Sequence, residues 1–300
     1  MILTRRTFLA AAAAGLAMPQ RLWSAMRLES GTFRLDTLSD GHLVLPSSFL
    51  FGGLPEEELR PILARHAISG PSQQVPCNVT LLRDGTHTVL FDVGSGPDFM
   101  PTAGRLSEAL SALEVAPEDV THVVFTHGHP DHLWGLLDEF DEPVFSGAQH
   151  MMGRAEFDYW TDPDTASTIG EARQSFAAGA KRRLEAMADR IALFEDGAAV
   201  LPSVTARLTA GHTPGHMAFV IDAPDPVMLA GDAIGNAHVG FERPDWPVPS
   251  DQDPELGART RAGLLDQITA DRMVLIGFHL PEGGIGRTER HAGGYRFLTA

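Results

Sequence analysis

Cysteine, lysine and tyrosine are nearly missing from this sequence of 300 residues. The single cysteine, Cys77, excludes an intramolecular disulfide, and a chain this long can bury a sizeable core without one. No histidine or basic motif adjoins Cys77, so it reads as a small buried hydrophobe and not as a nucleophile. Lys181 is the one lysine, and the formal net charge is -16. An acidic surface of that size repels polyanions, which argues against nucleic acid or anionic membrane as a partner. It suits a soluble enzyme acting on a neutral or cationic small molecule, and a homodimer is left open. There is no Gly-x-Ser-x-Gly elbow to suggest a serine nucleophile.

The N-terminus has its own character. Arg5 and Arg6 precede an apolar stretch from Phe8 to Met18 and then Pro19. The stretch is too short to span a bilayer, which takes about 20 apolar residues. A charged start followed by a short apolar run is the layout of an export signal, and the paired arginines before Thr7, Phe8 and Leu9 resemble a twin-arginine signal. We therefore expect residues 1–25 to be an export segment and residues 26–300 to be the functional domain, periplasmic or secreted. Removal of residues 1–25 takes Arg5, Arg6 and Arg21 and no acid, which leaves the remainder more acidic still.

Short apolar runs separated by turn signals predict strands. Phe33 to Leu38 and His42 to Leu45 flank Ser39-Asp40-Gly41, a turn signal. Val79 to Arg83 and Thr86 to Phe91 flank Asp84-Gly85, a tight hairpin. Thr121 to Thr126 is apolar and β-branched, as a buried strand should be. Similar runs lie at 204–208, 217–221, 227–230, 273–278 and 295–298. Helical periodicity marks 106–113, 170–189 and 254–268, with a further helix expected over 133–140. Residues 240–253, rich in proline and aspartate, read as an irregular loop. Strands in groups with helices between the groups predict an α/β fold, sheets covered by helices.

Chemistry concentrates in Thr126-His127-Gly128-His129-Pro130-Asp131-His132, directly after a buried strand. Three imidazoles and a carboxylate suit a divalent ion such as zinc. The spacing is too dense for one tetrahedral ion to take all four, so two neighbouring ions are the simpler reading. More candidates follow other strands: His212 in Gly-His-Thr-Pro-Gly-His, Asp232 in Ala-Gly-Asp, and His279 after Phe278. Taken singly, Asp232 reads equally as a turn residue or a helix N-cap, and His279 as an ordinary strand-end histidine. Their repeated place just past a strand would put every ligand on one edge of the sheets.

These motifs, with Leu90-Phe91-Asp92-Val93-Gly94 before them, match in order those of the metallo-β-lactamase superfamily, which the chain resembles over roughly residues 30–300. The resemblance implies an αββα sandwich with a dinuclear site on one edge. Carried over, it implies one metal on His127, His129 and His212, and a second on Asp131, His132 and His279. Asp232 would bridge them together with a water or hydroxide. Asp92 would orient the ligand loop; His216 would make a structural hydrogen bond only. The two ions implied are most often Zn2+, with Mn, Fe or Co also accommodated. Asp232 stands where one β-lactamase class has cysteine, and His129 stands where flavodiiron proteins have an acid. The chain also resembles the methyl parathion hydrolase and N-acyl homoserine lactonase group, through its N-terminus, Asp40-Gly41-His42, and the tail from His279-Leu280-Pro281 to Tyr295-Arg296-Phe297. Trp134 departs from the small residue usual there and is expected to pack in the core.

Metal lowers the pKa of water from 15.7 to about 7, so a bridging hydroxide is the expected nucleophile. Asp131 and Asp232 are the expected catalytic carboxylates, Asp232 passing a proton to the leaving group. Phe49, Phe51, Phe157, Trp160, Phe241 and Trp246 lie in segments that the family uses to wall its pocket, though each alone reads as core or surface. The expected activity is hydrolysis of an ester or lactone. Alternatives are a phosphotriesterase, a β-lactamase, a single-iron persulfide dioxygenase, or a non-catalytic binding protein.

Overall fold

A computed structural model of the chain describes residues 24–300. The export segment expected at residues 1–25 lies outside the described residues except for its last two. In chain order, the first half holds β1 (Ser24–Ser30), β2 (Phe33–Pro46), α1 (Ser47–Phe51), α2 (Glu56–Arg65), β3 (Ser72–Arg83), β4 (Thr88–Phe91), α3 (Leu106–Ala112), β5 (His122–Val124), α4 (Pro130–Leu133), β6 (Gln149–Gly153), α5 (Arg154–Thr161), α6 (Thr165–Thr168), α7 (Gln174–Ala186) and β7 (Ile191–Phe194). The second half holds β8 (Ala199–Leu201), β9 (Val204–Leu208), β10 (Met217–Ile221), β11 (Val227–Leu229), α8 (Val239–Glu242), α9 (Pro254–Ala270), β12 (Val274–Ile276), β13 (Ile285–His291) and β14 (Gly294–Thr299).

The strands form two seven-stranded sheets, ordered β1 to β7 and β14 to β8. Alternation along each strand explains the layers, because neighbouring side chains point to opposite faces. Leu35, Leu82, Val89, Phe91 and Val124 of the first sheet meet Phe219, Val227, Leu229, Val274 and Ile276 of the second in one buried core. Their neighbours Leu81, Leu90 and Val123 face outward onto Leu106, Leu110, Leu133 and Leu184 from the helical layer. On the far side Ala218, Met228 and Leu275 pack against Leu264, Leu265 and Ile268 of α9. Helices thus cover both outer faces, the expected αββα sandwich.

The predicted hairpin at Asp84-Gly85 forms, with Arg83 opposite Thr88. The turn predicted at Ser39-Asp40-Gly41 does not. β2 runs through it as one strand, with a bulge between Ser39 and Gly41 against β3. Gly41 has φ +102°, and a Cβ there would meet Thr102 O at 2.2 Å. The Asp40 carboxylate turns inward and accepts from the backbone N–H groups of Ser95, Gly104 and Leu106. The turn chemistry was therefore a bulge that re-aims one side chain. The helix predicted over 133–140 instead starts at Pro130, inside the metal motif, and gives way to a 3-10 turn at Trp134–Leu136. Proline at a first helical position needs no N–H partner, which sets that start. The long helix predicted over 170–189 is trimmed to α7 behind a 3-10 turn at Glu171–Arg173.

Candidate metal centre

The ends of β4, β5, β9, β11 and β12 meet at one edge of the sandwich, and each is followed by a candidate residue. Asp92 leaves β4 in the left-handed region, φ 67°. Its carboxylate accepts from Thr126 N and Thr126 Oγ1, both at 2.8 Å, and lies 2.8 Å from His132 Nδ1. Asp92 thereby fixes the start of the histidine loop and turns His132 Nε2 away from itself, toward the other ligands. The outer nitrogens of two more rings are anchored: His279 Nδ1 on Pro76 O at 2.7 Å, and His127 Nδ1 on Thr126 Oγ1 at 3.0 Å. Such contacts set which ring nitrogen faces a metal.

The inward atoms converge. His129 Nδ1 lies 3.0 Å from His127 Nε2 and 2.9 Å from His212 Nε2. Asp131 Oδ2 lies 3.3 Å from His279 Nε2 and 3.5 Å from His132 Nε2. Asp232 stands between the groups: Oδ1 is 3.3 Å from His132 Nε2, while Oδ2 is 3.1 Å from His279 Nε2 and 3.4 Å from His212 Nε2. The structure thus brings together all seven residues singled out in the sequence. It adds Cys77, whose thiol joins Asp131 and His279 in one potential donor group and which is fully buried. Burial pushes that thiol up to about 12.

The donor set fits a pair of cations. Despite lying 3.3–3.5 Å from one another or from His279 Nε2, Asp131 Oδ2, His132 Nε2 and Asp232 Oδ1 are buried with no hydrogen bond of good geometry among the described residues, an arrangement that costs free energy unless something else satisfies them. Burial and the neighbouring rings hold His127 and His129 well below the usual histidine range, so both are neutral, with lone pairs available. Burial opposes a charge on His132 as well, but Asp232, Asp131 and Asp92 overcome it and raise that ring to about 10. The carboxylates therefore demand positive charge at the spot where the second triad closes. His216 is outside the cluster's inner face: its Nδ1 meets Thr209 Oγ1 at 2.8 Å, and its Nε2 accepts from Asp232 N at 3.0 Å. Burial holds His216 down to about 3, which keeps it the neutral acceptor that this contact needs.

Two residues that the sequence did not flag complete the frame. Asp251 contacts His212 Nδ1 through Oδ1 at 3.1 Å, and Arg261 Nη2 donates to its Oδ2 at 2.5 Å. Glu156 is fully buried and staples both histidine loops: Oε1 accepts from Gly128 N and Trp160 Nε1, Oε2 from Thr213 Oγ1 and Gly215 N. Asp251 lay in a segment legible only as loop, and Glu156 in one with no metal-like spacing.

His129, Asp131, His212, Asp232 and His279 form the floor of a cleft of about 440 Å³ walled by Leu43, Leu45, Phe49, Leu50, Ile68, Val75, Phe99 and Phe176, with His127 and His132 fully buried behind them. Of the six aromatic candidates, Phe49 alone lines it. Phe51, Trp160, Phe241 and Trp246 are buried in the core, and Phe157 packs against it. Trp160 fits there only because residue 128 is glycine: a Cβ at Gly128 would meet the indole ring at 2.5 Å. Trp134 also turns from the cleft, with the Arg183 guanidinium 4.6 Å from its ring and Phe99 at 5.6 Å. His238 lines the cleft too, held down to about 4 by burial and by His66, so its ring is neutral.

The family model of the metallo-β-lactamase superfamily matches residues 73–277. The chain belongs to that superfamily. The matched stretch holds every candidate ligand but His279, which the fold brings to the others. Among curated superfamily relatives, the chain is 32% identical over 131 residues to the N-acyl homoserine lactonase AttM of Agrobacterium fabrum, covering 42% of this chain and 46% of that one. It is 28% identical over 200 residues to metallo-beta-lactamase domain-containing protein 1 of Xenopus laevis, covering 66% and 70%. The chain thus spans under half the length of the lactonase it matches. AidC, a dizinc quorum-quenching lactonase solved in complex with a product, N-hexanoyl-L-homoserine, superposes with TM-score 0.84 at 22% identity, over 92% of this chain and 97% of that one. The hydrolase AbOPH superposes with TM-score 0.83 at 24% identity, over 91% and 96%. At these identities the superpositions establish the shared fold.

Proposed function

We propose that this chain is a metal-dependent hydrolase that opens a lactone or cleaves an ester of a small acyl compound. The observation that carries this is the cluster of seven inward donors, three of its atoms unsatisfied among the described residues, five of the seven residues lining the floor of an apolar cleft. His127, His129 and His212 would hold one divalent ion, and Asp131, His132 and His279 the other, with Asp232 in reach of both. Zinc suits these nitrogen and carboxylate donors. Such ions supply Lewis acidity and a water whose pKa falls to about 7. The protein's own part is orientation and proton handling. Asp92, Asp251 and Thr126 fix the rings, the apolar wall would limit bulk water, and Asp232 would carry a proton toward the leaving oxygen. Leucine, isoleucine and phenylalanine in the wall favour an apolar acyl chain. The likeness to N-acyl homoserine lactonases supports the lactone as the first substrate to try, and the paired arginines near the N-terminus support action after export.

The test is metal content of the purified protein, joined to turnover of an aryl ester, an acyl homoserine lactone, a phosphotriester and a β-lactam. Near two metal ions per chain with lactone or ester turnover supports the reading. Turnover confined to the phosphotriester or the β-lactam replaces it, and one iron per chain with oxidation of a persulfide points to an oxygenase. No metal, and no activity after zinc or manganese is added, overturns it.

A further inference from the structure

Among the described residues that line the cleft, Arg173 is the only arginine or lysine, in a protein whose net charge is -16. It closes the 3-10 turn before α7 and is half-buried. Its Nη2 donates to the carbonyls of Pro249 and Ser250 at 3.0 and 2.9 Å, and its guanidinium carbon lies 5.4 Å from the centre of the Phe49 ring. Those contacts fix the plane of the fork without neutralising it. Asp251, the acid whose field it feels, spends its two oxygens on His212 and Arg261. Arg173 Nε is buried with no partner among the described residues. A partly desolvated cation with an unspent donor is costly, and proteins ordinarily offset that cost with a carboxylate. Here the hydrogen-bond and ring neighbours on offer are two carbonyls and an aromatic face, and Arg173 lines both the metal cleft and an adjoining pocket beside Tyr159, Ile169 and Gln252. Its charge also reaches the candidate ligand His129.

We propose that Arg173 is a specificity-determining residue that binds a carboxylate in this cleft. The inference rests on the hydrolase reading above and deepens it. Hydrolysis of an ester or lactone breaks the acyl C–O bond, adds water across it, and leaves a hydroxyl compound and a carboxylate. Arg173 therefore meets a carboxylate from one of two sources: one borne by the substrate at a distance from the scissile bond, or the one that hydrolysis creates. Arginine suits either, because its planar fork matches the two carboxylate oxygens.

The test uses the metal-loaded full chain with Arg173→Gln and Arg173→Lys. The first arm compares two aryl esters of equal length, one ending in a carboxylate and one in the neutral primary amide. A substrate-borne source predicts that the wild-type ratio of kcat/KM, charged over neutral, falls tenfold or more in Arg173→Gln and partly recovers in Arg173→Lys. The second arm measures inhibition by the carboxylate product. A product source predicts a Ki at least tenfold weaker in Arg173→Gln, with the ratio in the first arm unmoved. If neither the ratio nor the Ki shifts in either variant, Arg173 is only a strut between Phe49 and the 249–250 loop, and the proposal is overturned. Failure of the hydrolase reading is separate and shows in the wild type, as no turnover of any ester or lactone. In that case calorimetric titration with hexanoate decides the carboxylate site: equal affinity in wild type and Arg173→Gln overturns it.

Discussion

Asp251 Oδ1 lies 3.1 Å from Nδ1 of His212, and the same carboxylate is gripped on its other side by the buried guanidinium of Arg261. A ring held from behind in this way presents one nitrogen forward and pays no further entropy to bind. Asp251→Ala should weaken metal affinity by about 10- to 100-fold. Titration against a competing chelator measures this directly, and an affinity within twofold of the wild type would show that His212 needs no such partner.

Glu156 suggests a stability experiment. Its two oxygens take four donors: three from two loops that lie far apart in sequence, at Gly128 and at Thr213 and Gly215, and one from Trp160 on its own helix. Glutamine keeps the shape but turns an NH2 group onto two of those donors. Glu156→Gln should cost about 2–5 kcal/mol, since it leaves buried donors unmet. Urea unfolding at neutral pH gives the number, and a cost below about 0.5 kcal/mol would mean the loops hold without the staple.

Metal should stabilise as well as activate. An ion that binds only the folded chain adds about 2.7 kcal/mol at a hundred times its Kd. Zinc added to stripped protein should therefore raise its thermal midpoint, and Asp232→Asn, which weakens a carboxylate in reach of both triads, should lose most of the rise. An equal rise in the variant would remove Asp232 from the ligand set.

His150 on β6 predicts a pH dependence away from the metal. It is buried, and burial with Arg190 nearby lowers its pKa from 6.5 to about 4. The unfolded chain thus takes up this proton before the folded one does. Its contribution is whole above about pH 6.5, declines as pH falls toward 4, and is gone below that, a loss of up to about 3 kcal/mol. In His150→Gln, stability measured by urea between pH 7 and pH 4.5 should fall less steeply than in the wild type. Parallel curves would assign the acid sensitivity to other groups.

The ligand motifs were legible because each is local: a buried strand, then a loop carrying a donor. The hairpin at Asp84-Gly85 was legible for the same reason, since adjacent residues decide it. Ser39-Asp40-Gly41 misled because a bulge and a turn use the same residue types, and only the distant acceptor Thr102 O and the donors Ser95, Gly104 and Leu106 distinguish them. Asp251 and Glu156 were invisible because the histidine-bearing loops they brace lie far away along the chain. The pocket aromatics split for a related reason. Phe49 follows a strand at the site's edge, whereas Trp160 fills the space that Gly128 leaves.

The seven inward donors begin at His127, after β5 of the first sheet, and end at His279, after β12 of the second. A ribosome that has made the first sheet has made His127, His129, Asp131 and His132, but neither triad. His212 completes the first, and the second waits for β12 and the residue that follows it. A chain cut short anywhere before His279 carries a histidine loop with no closed cage around it. Occupancy of the second position would therefore report that the two sheets have met, since its ligands come from both.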